Sequence, residues 1–158
     1  MTSSAVIDFE GYQLPSGYFI VKELAFYAVR GPHFSGAWTF QPPIPFEELT
    51  SKERAQFLWV SRNIHRMDWN EGQLPYEKFR SILTLLFEVF PTIYIKGLQK
   101  QKFLEFLSGR HCINLEDFNC PKIEQLMPIY SPCSVHGSSF HHCALTKVTA
   151  FREFLESL

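Results

Sequence analysis

Asp8 and Glu10 stand two residues apart in the apolar stretch Ala5-Val-Ile-Asp-Phe-Glu-Gly11. On a strand, residues at this spacing point to one face about 7 Å apart, so the pair could share a hard divalent cation, Mg2+ or Mn2+, and activate water for phosphodiester cleavage. The alternative is two solvated carboxylates at a strand end. A second group of chemically able residues lies late in the chain, in Cys133-Ser-Val-His136-Gly-Ser-Ser-Phe-His-His-Cys143. Cysteine and histidine at this spacing, with a further cysteine at the start of a helix, suit a zinc knuckle with one position left open. His141 and His142 compete as ligands, and a histidine-rich loop between two buried cysteines is the other reading. The fourth ligand could be Glu23, which interrupts the apolar run Ile20-Val-Lys-Glu-Leu-Ala-Phe26. A lone carboxylate in a central strand is costly, so it should be paired, bound to metal, or on a wet edge. Lys22, pointing to the opposite face, cannot neutralise it. Four protein ligands would make the zinc structural, because no position remains for an activating water.

A third group is basic: Lys96, Lys100, Lys102 and Arg110, with Tyr94 nearby, could hold RNA phosphates and stack a base, or could be a solvated helix face. Trp59 and Trp69 read as core and connector residues. The chain as a whole has 15 basic and 16 acidic side chains, a formal charge of -1, so any nucleic-acid binding rests on a local patch.

The elements that must position these residues follow from periodicity. Of the 158 residues 46% are hydrophobic, 16% aromatic and 20% charged, which predicts one domain over 1–158 with a sizeable core. Residues 5–11, 17–29 and 37–41 read as three strands of a meander, the last stopped by Pro42-Pro43. Thr50 or Ser51 caps a helix that runs to about His65, and Tyr76 to Phe90 forms a second, ended by Pro91. Then come a strand over 92–95, a helix over 100–107, a strand over 112–115, a short helix over 122–127 and a final helix over 144–158. The apolar runs fall short of the roughly 20 residues of a membrane span. Without a basic leader at the N-terminus the chain is expected to be intracellular, nuclear or cytoplasmic, where Cys112, Cys120, Cys133 and Cys143 stay reduced.

Three strands followed by alternating helices and strands resemble a ribonuclease-H-like fold: an α/β mixed sheet, antiparallel in its meander and parallel thereafter, flanked by helices. DnaQ-like exonucleases of this fold place an acid after the fourth strand, where this chain has Lys96-Gly-Leu-Gln-Lys-Gln-Lys-Phe103. They also carry a late His-x-Ala-Leu-x-Asp type of segment, which His142-Cys-Ala-Leu-Thr-Lys147 resembles with lysine in place of the acid. Glu23-Leu24, Ile93-Tyr-Ile-Lys96, Cys133-x-x-His136 and Cys143-Ala-Leu145 together resemble the Maelstrom domain. That resemblance implies a domain of the germline piRNA pathway that has lost the exonuclease acids, with Glu23, Cys133, His136 and Cys143 as zinc ligands. The chain is therefore expected to be a divergent stand-alone relative: zinc-stabilised, catalytically degenerate, binding single-stranded RNA or a protein partner, and serving small-RNA or transposon silencing. The competing expectation is an active metal-dependent 3'-5' exonuclease or ribonuclease that uses Asp8 and Glu10, with Glu23 as a third acid.

Overall fold

The computed structural model describes residues 3–14, 16, 18–31, 33–65, 68–126 and 144–158. β-branched and aromatic residues build β1 (Ser4–Gln13), which is buried along nearly its whole length because it lies inside the sheet. It pairs antiparallel with β2 (Phe19–Val29), which in turn pairs antiparallel with β3 (Ser35–Thr39). On the other side β1 pairs parallel with β4 (Thr92–Ile95), and β4 pairs parallel with β5 (Ile113–Asn114), giving the order β3-β2-β1-β4-β5. The mixed sheet, antiparallel then parallel, is the one the sequence predicts.

A β-bulge lies at the centre of this sheet. Glu10 faces Glu23, but Gly11 faces Val21, so Lys22 is the extra residue of β2. A bulge reverses the alternation of side chains, and here it turns Val21 to the same layer as Leu24 and Phe26. The chains approach so closely that a Cβ on Gly11 would lie 1.9 Å from the Ile20 carbonyl oxygen, which leaves glycine as the residue that fits. Lys22 is fully buried, and its ammonium donates to the carbonyls of Phe40 and Glu71, tying the chain beyond β3 and the 68–75 connector to the sheet. Burial pushes its pKa down to about 8.

Helices cover both faces. α1 (Ser51–Val60) begins at Thr50, one of the two caps the sequence offers; its side chain accepts from the Glu53 N–H while Glu53 accepts from the Thr50 N–H, a reciprocal cap. It continues into a π turn over Ser61–His65. α2 (Lys78–Val89) and α3 (Leu98–Ser108) bury Phe79, Leu83, Phe87, Phe103 and Leu104 against one face, with Ile7, Phe9 and Leu24 of the strands. α4 (Ile123–Leu126) and α5 (Ala144–Glu156) cover the other face, where Val148, Phe151 and Leu155 meet Val6 and Ala25. A third cluster of Tyr12, Ile20, Leu49, Phe57 and Trp69 closes the end of the sheet under α1.

The remaining differences from the sequence expectation are local. The third strand lies two residues earlier than 37–41, because Phe40 leaves β3 to bridge Leu74. α3 starts at Leu98, since Gly97, at φ 107, makes the turn out of β4. The fifth strand keeps two residues and passes into a 3-10 turn over Leu115–Phe118, where the Asn114 side chain accepts from the Glu116 N–H. Trp59 is 58% exposed and belongs to no core, whereas Trp69 is buried in the connector as expected. Among the described residues no helix is long and apolar enough to cross a membrane.

Candidate functional site

β4 pairs with β1 only across Ser4 to Val6, so β1 runs on past its parallel neighbour. Asp8 and Glu10 lie on that extension, beyond the carboxyl end of β4, which is where open α/β sheets place their ligand crevices. They are 1% and 5% exposed. Phe9 between them points into the opposite core, fixing the two carboxylates on one side of the sheet.

Two lysines from two helices meet this pair. Lys100, in the first turn of α3, donates to Asp8 Oδ1 at 2.8 Å and lies 3.6 Å from Glu10 Oε1. Its ammonium passes 5.3 Å from the centre of the Phe9 ring. Lys147, in the first turn of α5, donates to Glu10 Oε1 at 2.5 Å. Both lysines are mostly covered, at 21% and 12% side-chain exposure, so these contacts are poorly screened by water. Burial pushes the Asp8 carboxyl above its ordinary value, against the opposing pull of Lys100 and Lys147. Asp8 Oδ2 is buried with no hydrogen-bond partner among the described residues.

Glu23 is the cross-strand neighbour of Glu10 and is fully buried in an internal strand, which removes the wet-edge alternative. Its Oε1 accepts from the Ala144 N–H at 2.7 Å, at the start of α5. Burial pushes its pKa up to about 8 while that hydrogen bond pulls it down. Lys22 donates to backbone carbonyls and not to Glu23, although the bulge removes the regular alternation on which the sequence expectation rested. Cys133, His136 and Cys143, and the competing His141 and His142, lie outside the described residues. Among the described residues no group of three or more His, Cys, Asp and Glu side chains could hold a metal ion.

The basic residues proposed for RNA separate into three places. Lys96 and Lys100 line a cleft of about 230 Å³ with Asp8, Gly97, Lys122 and Lys147. Lys102 lines a different, apolar pocket with Tyr18, Phe103 and Phe106. Arg110, just past the end of α3, hangs over the Phe87 ring of α2 at 5.9 Å and donates to the Phe87 carbonyl at 3.2 Å. Tyr94 packs near Phe118, with ring centres 6.5 Å apart. Sequence reasoning missed Lys122, which carries no motif. The lysine at 147 was visible as the replacement of an acid, but its contact with Glu10 was not.

No protein-family model and no curated protein matches the chain. Solved structures do. Exonuclease I of E. coli in complex with a dT13 oligonucleotide superposes with a TM-score of 0.65 at 10% identity, over 99% of this chain and 41% of that one. Exonuclease I of Methylocaldum szegediense gives 0.61 at 12% identity over 99% of this chain and 40% of its own. A full-length 3'-exonuclease gives 0.61 at 12% identity, over 98% of this chain and 80% of that one. The chain thus spans 41% and 40% of the length of the exonuclease I proteins. Identities this low speak for architecture alone, and the chain shares the ribonuclease-H-like fold of these exonuclease structures.

Proposed function

We propose that this chain binds single-stranded nucleic acid, RNA included, without cleaving it. The observation that carries this reading is the pair of ammonium groups, Lys100 and Lys147, set against the carboxylate oxygens of Asp8 and Glu10. A nuclease of this fold needs those oxygens for divalent cations. An ammonium held within 2.8 Å of the same oxygens repels a second cation and already supplies the counter-charge, so the residues present do not fit the metal pair. The complexes of exonuclease I with dT13, dA13 and dA16 oligonucleotides support a single-stranded ligand for the fold. A purified chain with Mg2+ or Mn2+ should leave a labelled single strand intact while retarding it in a binding assay. Cleavage that disappears in Asp8→Asn would overturn the reading and favour the nuclease alternative.

The finer reading, a Maelstrom-type domain with structural zinc on Glu23, Cys133, His136 and Cys143, is supported by Glu23. Its buried carboxylate is hydrogen-bonded to the residue that directly follows Cys143. A role in small-RNA or transposon silencing and a protein partner belong to that same proposal.

A further inference from the structure

We propose that the cleft between β1, the start of α3 and the start of α5 binds a dianionic phosphate monoester directly on lysine side chains, with no bridging metal ion. The inference rests on the reading that Lys100 and Lys147 stand in for cations, and it adds what the exchange makes possible.

Four ammonium groups, from Lys96, Lys100, Lys122 and Lys147, line or enter the one cleft. Their tasks differ. Lys100 and Lys147 are tethered to Asp8 and Glu10, which fixes them at the floor. Lys96 and Lys122 pair with no carboxylate among the described residues and stand half-buried and exposed at the rim. Lys96 and Lys122 thus bring two positive charges that no carboxylate among the described residues pairs with. A terminal phosphate carries about that much negative charge near neutral pH, whereas an internal phosphodiester carries one. The cleft therefore matches the end of a strand better than its middle.

The backbone adds to this. The turn Lys96-Gly97 forms part of the wall, and α3, 11 residues long, starts there with no side chain capping its first turn. The N–H groups of an uncapped helix start, together with the positive end of its dipole, favour an anion. Gly97 holds φ at 107, so the turn needs glycine for its conformation, and the absent side chain leaves the wall open. The volume, about 230 Å³, lies below the range of drug-sized sites and suits a small headgroup.

The same phosphomonoester could belong to the end of an oligonucleotide or to a mononucleotide. The test is fluorescence anisotropy on the whole chain, without added divalent metal, using one labelled single strand with a hydroxyl at both ends and its twins bearing a 5' or 3' phosphate. At least one phosphorylated twin should bind about tenfold tighter than the hydroxyl form, as expected for new charge-assisted hydrogen bonds. The Lys96→Ala/Lys122→Ala variant, altered only at the rim, should lose that preference. Adenosine monophosphate and inorganic phosphate serve as competitors. Displacement of the phosphorylated strand only at far higher concentration of either assigns the site to strand ends. A chain that binds the mononucleotide but no strand supports the phosphate site and overturns the nucleic-acid function. Equal binding of all three strands overturns the phosphate site and leaves that function standing, and a preference that survives in the double variant overturns the lysine assignment.

Discussion

Replacing Lys100 by methionine keeps most of the stem and removes the charge, which sits 5.3 Å from the centre of the Phe9 ring. At an effective dielectric constant of about 20, the contact of 2.8 Å with Asp8 corresponds to roughly 6 kcal/mol of attraction, and the 3.6 Å contact with Glu10 to roughly 5. Much of that is offset in the native protein by desolvation of the three groups. Removing one partner restores none of the lost hydration of Asp8, which stays 1% exposed, so the expected loss is the about 3–5 kcal/mol typical of a broken buried pair. With a urea dependence of about 2 kcal/mol per molar, the unfolding midpoint of Lys100→Met should fall by roughly 2 M. Asp8→Asn in the same chain removes the stranded charge, and the double variant should regain most of the loss. Urea titration followed by circular dichroism reads both quantities. A Lys100→Met protein as stable as the parent, or a double variant no better than the single, would refute the view that the lysine is the counter-ion of a buried acid.

Gly11→Ala should destabilise by about 2 kcal/mol or more, because its methyl would fall 1.9 Å from the Ile20 carbonyl oxygen and force the bulge apart; a urea midpoint within experimental error of the parent would count against that contact. Glu105 should give a pH signature. The Cys112 N–H at 2.8 Å holds its carboxyl below the ordinary value, helped by Gln101 and by His111 at 2.9 Å. The folded chain then binds that proton less readily than the unfolded one, so the contribution is full above about pH 4.5 and is lost as pH falls through the lower, folded value. Glu105→Gln should flatten that part of the acid unfolding curve, and an unchanged curve would dismiss the assignment. Protein purified without added metal should contain stoichiometric zinc that disappears in Cys133→Ser/Cys143→Ser; its absence from the parent would remove the Glu-Cys-His-Cys site.

Much of the architecture was legible because local signals agreed. Phe79, Leu83, Leu86 and Phe87 repeat at helical spacing, and that face is the one α2 buries. Thr50 or Ser51 marked the start of α1, and Thr50 is the cap. That the later strands run parallel followed from the alternating order of elements, since a parallel neighbour needs a helical crossover; that β4 joins the sheet beside β1 did not. The bulge at Lys22 was not legible, because it is set by how closely two strands approach and leaves no period in either. Asp8 and Glu10 could be seen on one face, but their partners come from 92 and 137 positions away, and no spacing rule spans such a distance. The lysines at 96, 100, 102 and 110 read as one basic group because they are close in sequence. α3 turns Lys102 away from the cleft that Lys96 and Lys100 share, and its length carries Arg110 to Phe87 beyond its other end.

The contacts of Lys100 and Lys147 with the buried acids also bear on when the cleft becomes ready. A metal-dependent site is assembled in two stages, folding and then loading, and its occupancy follows the supply of free ions. On the reading proposed above, the counter-ions are encoded as Lys100 and Lys147, arrive with the folding of α3 and α5, and cannot be diluted, exchanged or chelated. On that reading the charge of the cleft comes with the sequence and does not wait on a supply of magnesium.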